Sequence, residues 1–206
     1  MDAAELIGIY LAAGSSRRMG CNKLNLPLGD SYLGSMALTE ALQSKLQKIM
    51  IVTKRDSPLH WLASFSNQKI DKLLECENAY KGQSVSLKAG IKEAQKQNAA
   101  GVIVILGDQP LVPSKLINQL IDEFHISPFA PFIACLHQGI PKPPVLLAKC
   151  LFPAVLKLNG DQGARKLLSG SGKLITAEDD YFFDVDTPED YRLIVNNWEI
   201  LRGRKG

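Results

Sequence analysis

Strand-length apolar runs alternate with helix-length amphipathic segments along this chain, and no other feature restricts the fold as much. Leu6–Leu11, Lys48–Thr53 and Gly101–Leu106 are dense in Ile, Val and Leu and show no polar alternation. Such runs predict strands buried on both faces. Phe132–Leu136, Val145–Ala148, Lys173–Thr176 and Phe182–Val185 follow as later strands. Leu33–Gln43, Ser84–Lys96, Ser114–Phe124, Asp161–Ser169 and Pro188–Trp198 read as helices. Leu87, Ile91 and Ala94 share one face of the second; Tyr191, Ile194, Val195 and Trp198 share one face of the last. That last helix carries a start signal, with Thr187 as N-cap, Pro188 in the first turn and Asp190 at the third position. Repeated strand–helix alternation predicts an α/β fold: three αβα layers around a mostly parallel, Rossmann-like sheet. With 206 residues and no linker or repeat, residues 1–206 are expected to form a single domain.

Composition narrows the function classes. A formal net charge of +3 with scattered basic residues gives no reason to expect a nucleic-acid or membrane partner. The basic run at Arg202, Arg204 and Lys205 is expected to be solvated. Cys21, Cys76, Cys135 and Cys150 form no CxxC pair and lack zinc-ligand spacing. The last three sit among apolar residues and are expected to be buried thiols. The opening MDAAELIGIYLAAG has acidic residues where a signal peptide would be basic, and no stretch approaches membrane-spanning length. A soluble, cytoplasmic protein is expected.

In open α/β sheets, ligands bind at the carboxyl ends of strands, so the residues following each strand matter most. After the first strand, small residues run through Ala12, Ala13, Gly14, Ser15 and Ser16 into Arg17, Arg18 and Lys23. Small side chains let backbone N–H groups approach an anion, and the cations supply compensating charge. The spacing is neither that of a Walker A loop nor that of GxGxxG. By itself this is either a triphosphate-binding loop or a Gly/Ser turn with exposed cations.

Gly107-Asp108-Gln109-Pro110 directly follows the third strand. An Asp at that point is placed to hold Mg²⁺, which takes one or two carboxylates plus phosphate oxygens and waters. Asp184 and Asp186 form a second acidic pair, and either is a candidate for the second metal ligand. Glu189 and Asp190 are explained by the helix N-terminus that they precede or open. His60, His125 and His137 lie in no recognisable constellation. None is needed if the attacking group is a phosphate, which is already ionised at neutral pH. In-line transfer to it then depends on positioning and charge neutralisation.

Leu11–Lys23 resembles the signature LAAGxSxRMGxxK of nucleotidyltransferases with a molybdenum cofactor guanylyltransferase-like NTP transferase domain. Gly82–Gly90 is similar to that family's GxSxSLxAG stretch, Gly107–Pro110 to its GDQP, Gly160–Arg165 to its GDxGAR, and Asp184–Tyr191 to its DxDTPEDY. The resemblance implies a fold of the nucleotide-diphospho-sugar transferase type. It implies nucleotide binding by Leu11, Ala12, Ala13, Gly14, Arg18, Lys23, Gly82, Gln83, Ser84 and Asp108. Catalytic roles would fall to Lys23, Arg18 and Asp108, Mg²⁺ ligation to Asp108 with Asp184 and Asp186, and acceptor binding to Arg165. Arg17 falls at a variable position. Ser84 also reads as an N-cap.

The GDQP and GDQGAR versions imply Mo-molybdopterin as the acceptor, and the resemblance as a whole implies transfer of CMP from CTP to it, as in a molybdenum cofactor cytidylyltransferase. Relatives with LAAG tend to use CTP and those with LAGG tend to use GTP, so Ala13 points to CTP, with GTP as its alternative. Related enzymes hand the product to molybdoenzymes of the xanthine dehydrogenase type, which becomes the implied recipient. The other readings are CTP transfer to methylerythritol phosphate and non-catalytic holding of the cofactor. One departure is plain: relatives carry a glycine followed closely by a polar residue and Pro, as in GxP or GHP, before a short strand, whereas this chain has Gly139-Ile-Pro-Lys-Pro-Pro-Val145, with extra prolines and no His, a stretch expected to form a stiff loop.

Overall fold

A computed structural model of the chain describes residues 5–66 and 69–203. Arg204 and Lys205 lie outside the described residues. The strands are β1 (Leu6–Ala12), β2 (Pro27–Leu28), β3 (Ser31–Tyr32), β4 (Lys48–Lys54), β5 (Ile70–Cys76), β6 (Gly101–Leu106), β7 (Phe132–His137), β8 (Ile140–Ala148) and β9 (Lys173–Thr176). The α-helices are α1 (Leu33–Gln43), α2 (Gln83–Lys96), α3 (Ser114–Ile126), α4 (Phe152–Val155) and α5 (Pro188–Gly203).

Seven strands form one sheet in the order β5-β4-β1-β6-β8-β7-β9, and β2 pairs with β3 as a separate ribbon. β5, β4, β1 and β6 run parallel; β8 is antiparallel to both β6 and β7, and β9 is parallel to β7. The chain moves outward from β1 through β4 to β5, then returns to place β6 on the other side of β1. That reversal opens a crevice at the carboxyl ends of β1 and β6.

Alternate side chains of the buried strands serve the two faces. Ile7, Ile9, Met50, Val52, Val102 and Val104 pack with Leu87 and Ile91 of α2 and Phe152 of α4. Tyr10, Ile49, Ile51, Ile103 and Ile105 pack with Leu38 of α1 and Leu116, Ile117 and Leu120 of α3. This is the three-layer αβα arrangement. A Cβ added at Gly90 would lie 2.7 Å from Ile9 Cγ2, so its absence lets α2 press directly on β1. Tyr10 is fully buried, and its hydroxyl donates to the Gly34 carbonyl at 2.8 Å.

Several expectations need correction. Phe182–Val185 is not a strand: Asp179–Phe182 is a 3-10 turn and the segment then runs on without ladder pairing. It is anchored instead by Val185 N–H donating to the Asp108 carbonyl. Asp161–Ser169 is not a helix, and Asp161 caps nothing; a 3-10 turn occupies only Ala164–Leu167, preceded by extended Gly163. Gly160 has φ 58°, which breaks any helical run at that point. Cys76 and Cys135 are buried, but Cys150 is exposed. In α5, Ile194 and Trp198 are buried, whereas Val195 is exposed. β5 was not anticipated, because Ile-Asp-Lys-Leu-Leu-Glu-Cys mixes charges with apolar residues, as an edge strand does.

The proline stretch is a strand, not a loop. β8 begins at Ile140, and its register with β7 passes from Ala134↔Val145 to Cys135↔Lys142. Pro143 and Pro144 fall in the gap and have no ladder partner on β7, where two residues without a backbone donor cost least. No helix among the described residues is long and apolar enough to cross a membrane.

Candidate functional site

The loop leaving β1 carries a 3-10 turn, Arg17–Met19, bounded by left-handed Ser16 (φ 45°) and Gly20 (φ 69°). A second turn, Lys23–Asn25, follows immediately. Asn22 holds that turn in place: its Oδ1 accepts from Leu24 N–H, while its Nδ2 donates to Ser57 Oγ and the Pro58 carbonyl. Lys23 is thereby buried to 6% exposure and aimed at the carboxyl end of β6.

There its ammonium donates to Asp108 Oδ2 at 2.7 Å and to Asp186 Oδ1 at 2.8 Å. Arg18 donates to the other oxygen of Asp186, also at 2.8 Å. Burial disfavours the Lys23 charge, but attraction and hydrogen bonding to Asp108, then Asp186, outweigh it and hold its pKa above the ordinary lysine value. Burial pushes the Asp186 carboxyl up, yet the hydrogen bond and charge of Lys23, with those of Arg18, bring it below the ordinary range. Both groups are therefore charged at neutral pH.

Asp184 sits on the far side of this pair. Its Oδ1 accepts from Gln109 Nε2 at 2.9 Å, and its Oδ2 lies 3.6 Å from Lys142 Nζ. Burial, then the charge of Asp108, push its carboxyl up. Asp108 and Asp186 thus share one cation, and Asp184 does not share it. Among the described residues no cluster of three or more His, Cys, Asp or Glu side chains is placed to hold a metal ion.

A cavity of about 500 Å³ opens beside Lys23, within the range of nucleotide-sized sites. It is lined by Leu11, Ala12, Ala13, Gly14, Arg18 and Lys23 of the loop, by Gly82 and Gln83 at the start of α2, and by Asp108 and Asp186. A Cβ at Gly14 would meet no protein atom within 4 Å, so the space beside that backbone belongs to the cavity. Arg17 lines the rim as well.

Ser84 is not on the cavity wall. It is 1% exposed, and its Oγ has no hydrogen-bond partner among the described residues. Nor is it an N-cap, since α2 starts at Gln83 and the N-cap is Gly82. The hydroxyl that α2 brings to the wall belongs to Ser86, joined by Tyr80 and Asp161. Ser86 lies three residues after Gln83, on the same helix face, and this spacing could have identified it. Asp161 has no comparable sequence signal. It reaches the wall because the Gly160 carbonyl accepts from Ser84 N–H and Gly82 packs against Gly160, where a Cβ would come within 2.3 Å of Gly160 C. Arg165 stands exposed on its 3-10 turn outside the cavity.

His60 and His125 are exposed, and His137 pairs with Asp179 at 3.0 Å. None reaches the cavity.

The chain is similar to known proteins in sequence and in fold. A MobA-like NTP transferase domain matches residues 8–177. The purine catabolism protein PucB of Bacillus subtilis is 36% identical, covering 94% of this chain and 98% of that protein. The molybdenum cofactor cytidylyltransferase of Escherichia coli is 27% identical over 89% of this chain and 92% of its own length. The Mycobacterium tuberculosis protein Rv0371c, solved in complex with manganese, superposes with a TM-score of 0.74 at 22% identity, over 94% of this chain and 99% of that one. The fold is that of the nucleotide-diphospho-sugar transferases.

Proposed function

The chain belongs to the MobA-like NTP transferase family of nucleotidyltransferases, and within that family we propose that it transfers CMP from CTP to Mo-molybdopterin, yielding the cytosine dinucleotide and pyrophosphate. The observation that carries this is the single Lys23 ammonium held between Asp108 and Asp186 on the wall of the cavity, with Arg18 beside it. Two carboxylate oxygens converging on one cation suit Mg²⁺, whose remaining positions are filled by phosphate oxygens and water. Asp108 and Asp186 would hold the ion, and manganese in the related Rv0371c structure supports a divalent site. The bound ion would supply neutralisation of triphosphate charge.

The protein residues do the rest. Backbone N–H groups of Ala13–Ser16, with Arg18 and Lys23, receive the triphosphate. Gln83 and Ser86 face the base. An oxygen of the acceptor's phosphate attacks the α-phosphorus and forms the new O–P bond. The bond from that phosphorus to the bridging oxygen breaks, and pyrophosphate leaves with the electron pair, its charge met by Lys23 and Arg18. No protein base is needed, because the attacking oxygen is already ionised. Arg165 is retained as an acceptor-binding candidate outside the nucleotide cavity. The proposal includes a recipient molybdoenzyme of the xanthine dehydrogenase type, and the relative PucB is a purine catabolism protein. The reaction is assigned to the cytoplasm.

The test is pyrophosphate release from CTP and from GTP, each with Mg²⁺, in the presence of Mo-molybdopterin, methylerythritol phosphate or no acceptor. Release from CTP with Mo-molybdopterin alone is expected. Preference for GTP would overturn the base, and turnover with methylerythritol phosphate would overturn the acceptor. Absence of release with every combination would leave a non-catalytic holder.

A further inference from the structure

A separate ion pair, Asp184 with Lys142, lies outside the lining of the nucleotide cavity. Arg18, Asp186, Lys23 and Asp108 form its wall; Asp184 and Lys142 extend the row beyond it. Strand order gives the row a direction. The phosphate loop follows β1, Asp108 follows β6, and Lys142 is carried by β8, so Asp108 stands between the loop and Lys142. Because β8 is antiparallel to β6, its first residues lie at the carboxyl edge of the sheet, where the site is. β6–β8 pairing ends at Val104↔Val145, leaving Lys142 beyond the last pair and beside the Leu106–Gln109 turn.

The bulge fixes that placement. Pro141, Pro143 and Pro144 flank Lys142, each with a locked φ, and Lys142 returns to register opposite Cys135. The lysine is half-buried, and among the described residues its ammonium has one charged partner, Asp184, 3.6 Å away, longer than a direct hydrogen bond. Asp184 in turn is held by Gln109, which is 1% exposed. Asp184 therefore orients the ammonium without saturating it.

We propose that Lys142 is the cation that receives the acceptor's phosphate and presents it for attack. In-line displacement requires the attacking oxygen to approach opposite departing pyrophosphate. Pyrophosphate lies on the loop side of Asp108, so the attacking phosphate must come from the β8 side, where Lys142 points. Arg165 makes no ion pair among the described residues with any member of this row. The extra prolines then have a role: they hold the start of β8 as a rigid strand that delivers a lysine.

The proposal rests on a phosphate acceptor but not on molybdopterin, and the experiment separates the two. The protein is loaded with Mn²⁺ and a CTP analogue carrying an α,β-methylene bridge, then titrated with inorganic phosphate by calorimetry. Phosphate is expected to bind the loaded wild type, to bind Lys142→Met about tenfold more weakly, the loss of one charge-assisted contact, and to bind Lys142→Arg nearly as well as wild type. Analogue affinity should be unchanged in both variants, which also reports that they are folded. Equal phosphate binding by wild type and Lys142→Met, a parallel loss of analogue affinity, or no phosphate binding by wild type would each overturn it. Lys142-dependent phosphate binding in a protein that releases no pyrophosphate with Mo-molybdopterin would sustain the role of Lys142 and reject that acceptor.

Discussion

Lys23 holds two carboxylates that would otherwise repel each other in a half-buried site. Removing one partner of such a group leaves the others uncompensated, which is why isosteric variants are the informative ones. Asp108→Asn keeps the shape and a hydrogen-bond acceptor for Lys23 while removing the charge. It should lower the rate of pyrophosphate release about 10²–10³-fold, with the thermal melting curve nearly unchanged because Asp186 still pairs with Lys23. Near-normal turnover would remove Asp108 from the machinery. At this scale the sequence was legible where a residue's place follows from a local run: Ala12 to Gly14, Arg18 and Lys23 all reach the cavity. It could not choose between Asp184 and Asp186. Extended spacing puts both on one side, but the segment is not a strand, so the two carboxylates face different partners.

The start of α5 shows a local signal that tertiary structure preserves. Thr187 Oγ1 accepts from Asp190 N–H at 3.2 Å, and Asp190 Oδ2 accepts from Thr187 N–H at 2.8 Å, a reciprocal capping box. Burial pushes the Asp190 carboxyl up, but hydrogen bonds from the Thr187 hydroxyl and from the Thr187 and Asp186 N–H groups pull it below the ordinary value. A depressed folded pKa gives stability that is complete above the unfolded value of about 3.9 and disappears as pH falls through the folded one. Thr187→Ala should cost about 1 kcal/mol in urea unfolding at pH 7. The deficit of Asp190→Asn should shrink as pH drops below about 4. A deficit that stays constant through that range would reject the carboxylate's part in the cap. The Asp161–Ser169 prediction failed for the opposite reason. Its apolar spacing is helical, but Gly160 and Gly163 must pack against Gly82 and Gln83, where a Cβ on Gly163 would meet Gln83 Oε1 at 2.3 Å. Long-range contact overrides local propensity there.

Across the whole molecule, the sheet reversal between β1 and β6 brings together Lys23 and Asp108, 85 residues apart in the chain. Lys23 occupies the point on which a divalent ion would also converge, so metal and triphosphate should bind as a coupled pair: the triphosphate offers Lys23 and Arg18 new anionic partners. CTP and Mn²⁺ together, at about 100-fold over their dissociation constants, should stabilise the fold by about 2.7 kcal/mol. For a chain of this size that raises Tm by about 5–10 °C in a thermal melt. Either ligand alone should shift it far less; additive shifts would show that Lys23 does not stand in the way.

The amino-acid sequence by itself determined the αβα class, because continuous apolar runs and 3.6-residue periodicity are properties of neighbouring residues. It likewise determined the small-residue loop after β1 that lines the cavity, the position of Asp108 after β6, and the cap of α5. Tertiary structure alone decided that Asp186 shares Lys23 with Asp108, that Ser86 and Asp161 replace Ser84 on the cavity wall, and that the prolines deliver Lys142 to the edge of the site. Each of those depends on which strand lies beside which, and strand order is fixed by packing between residues far apart in the chain.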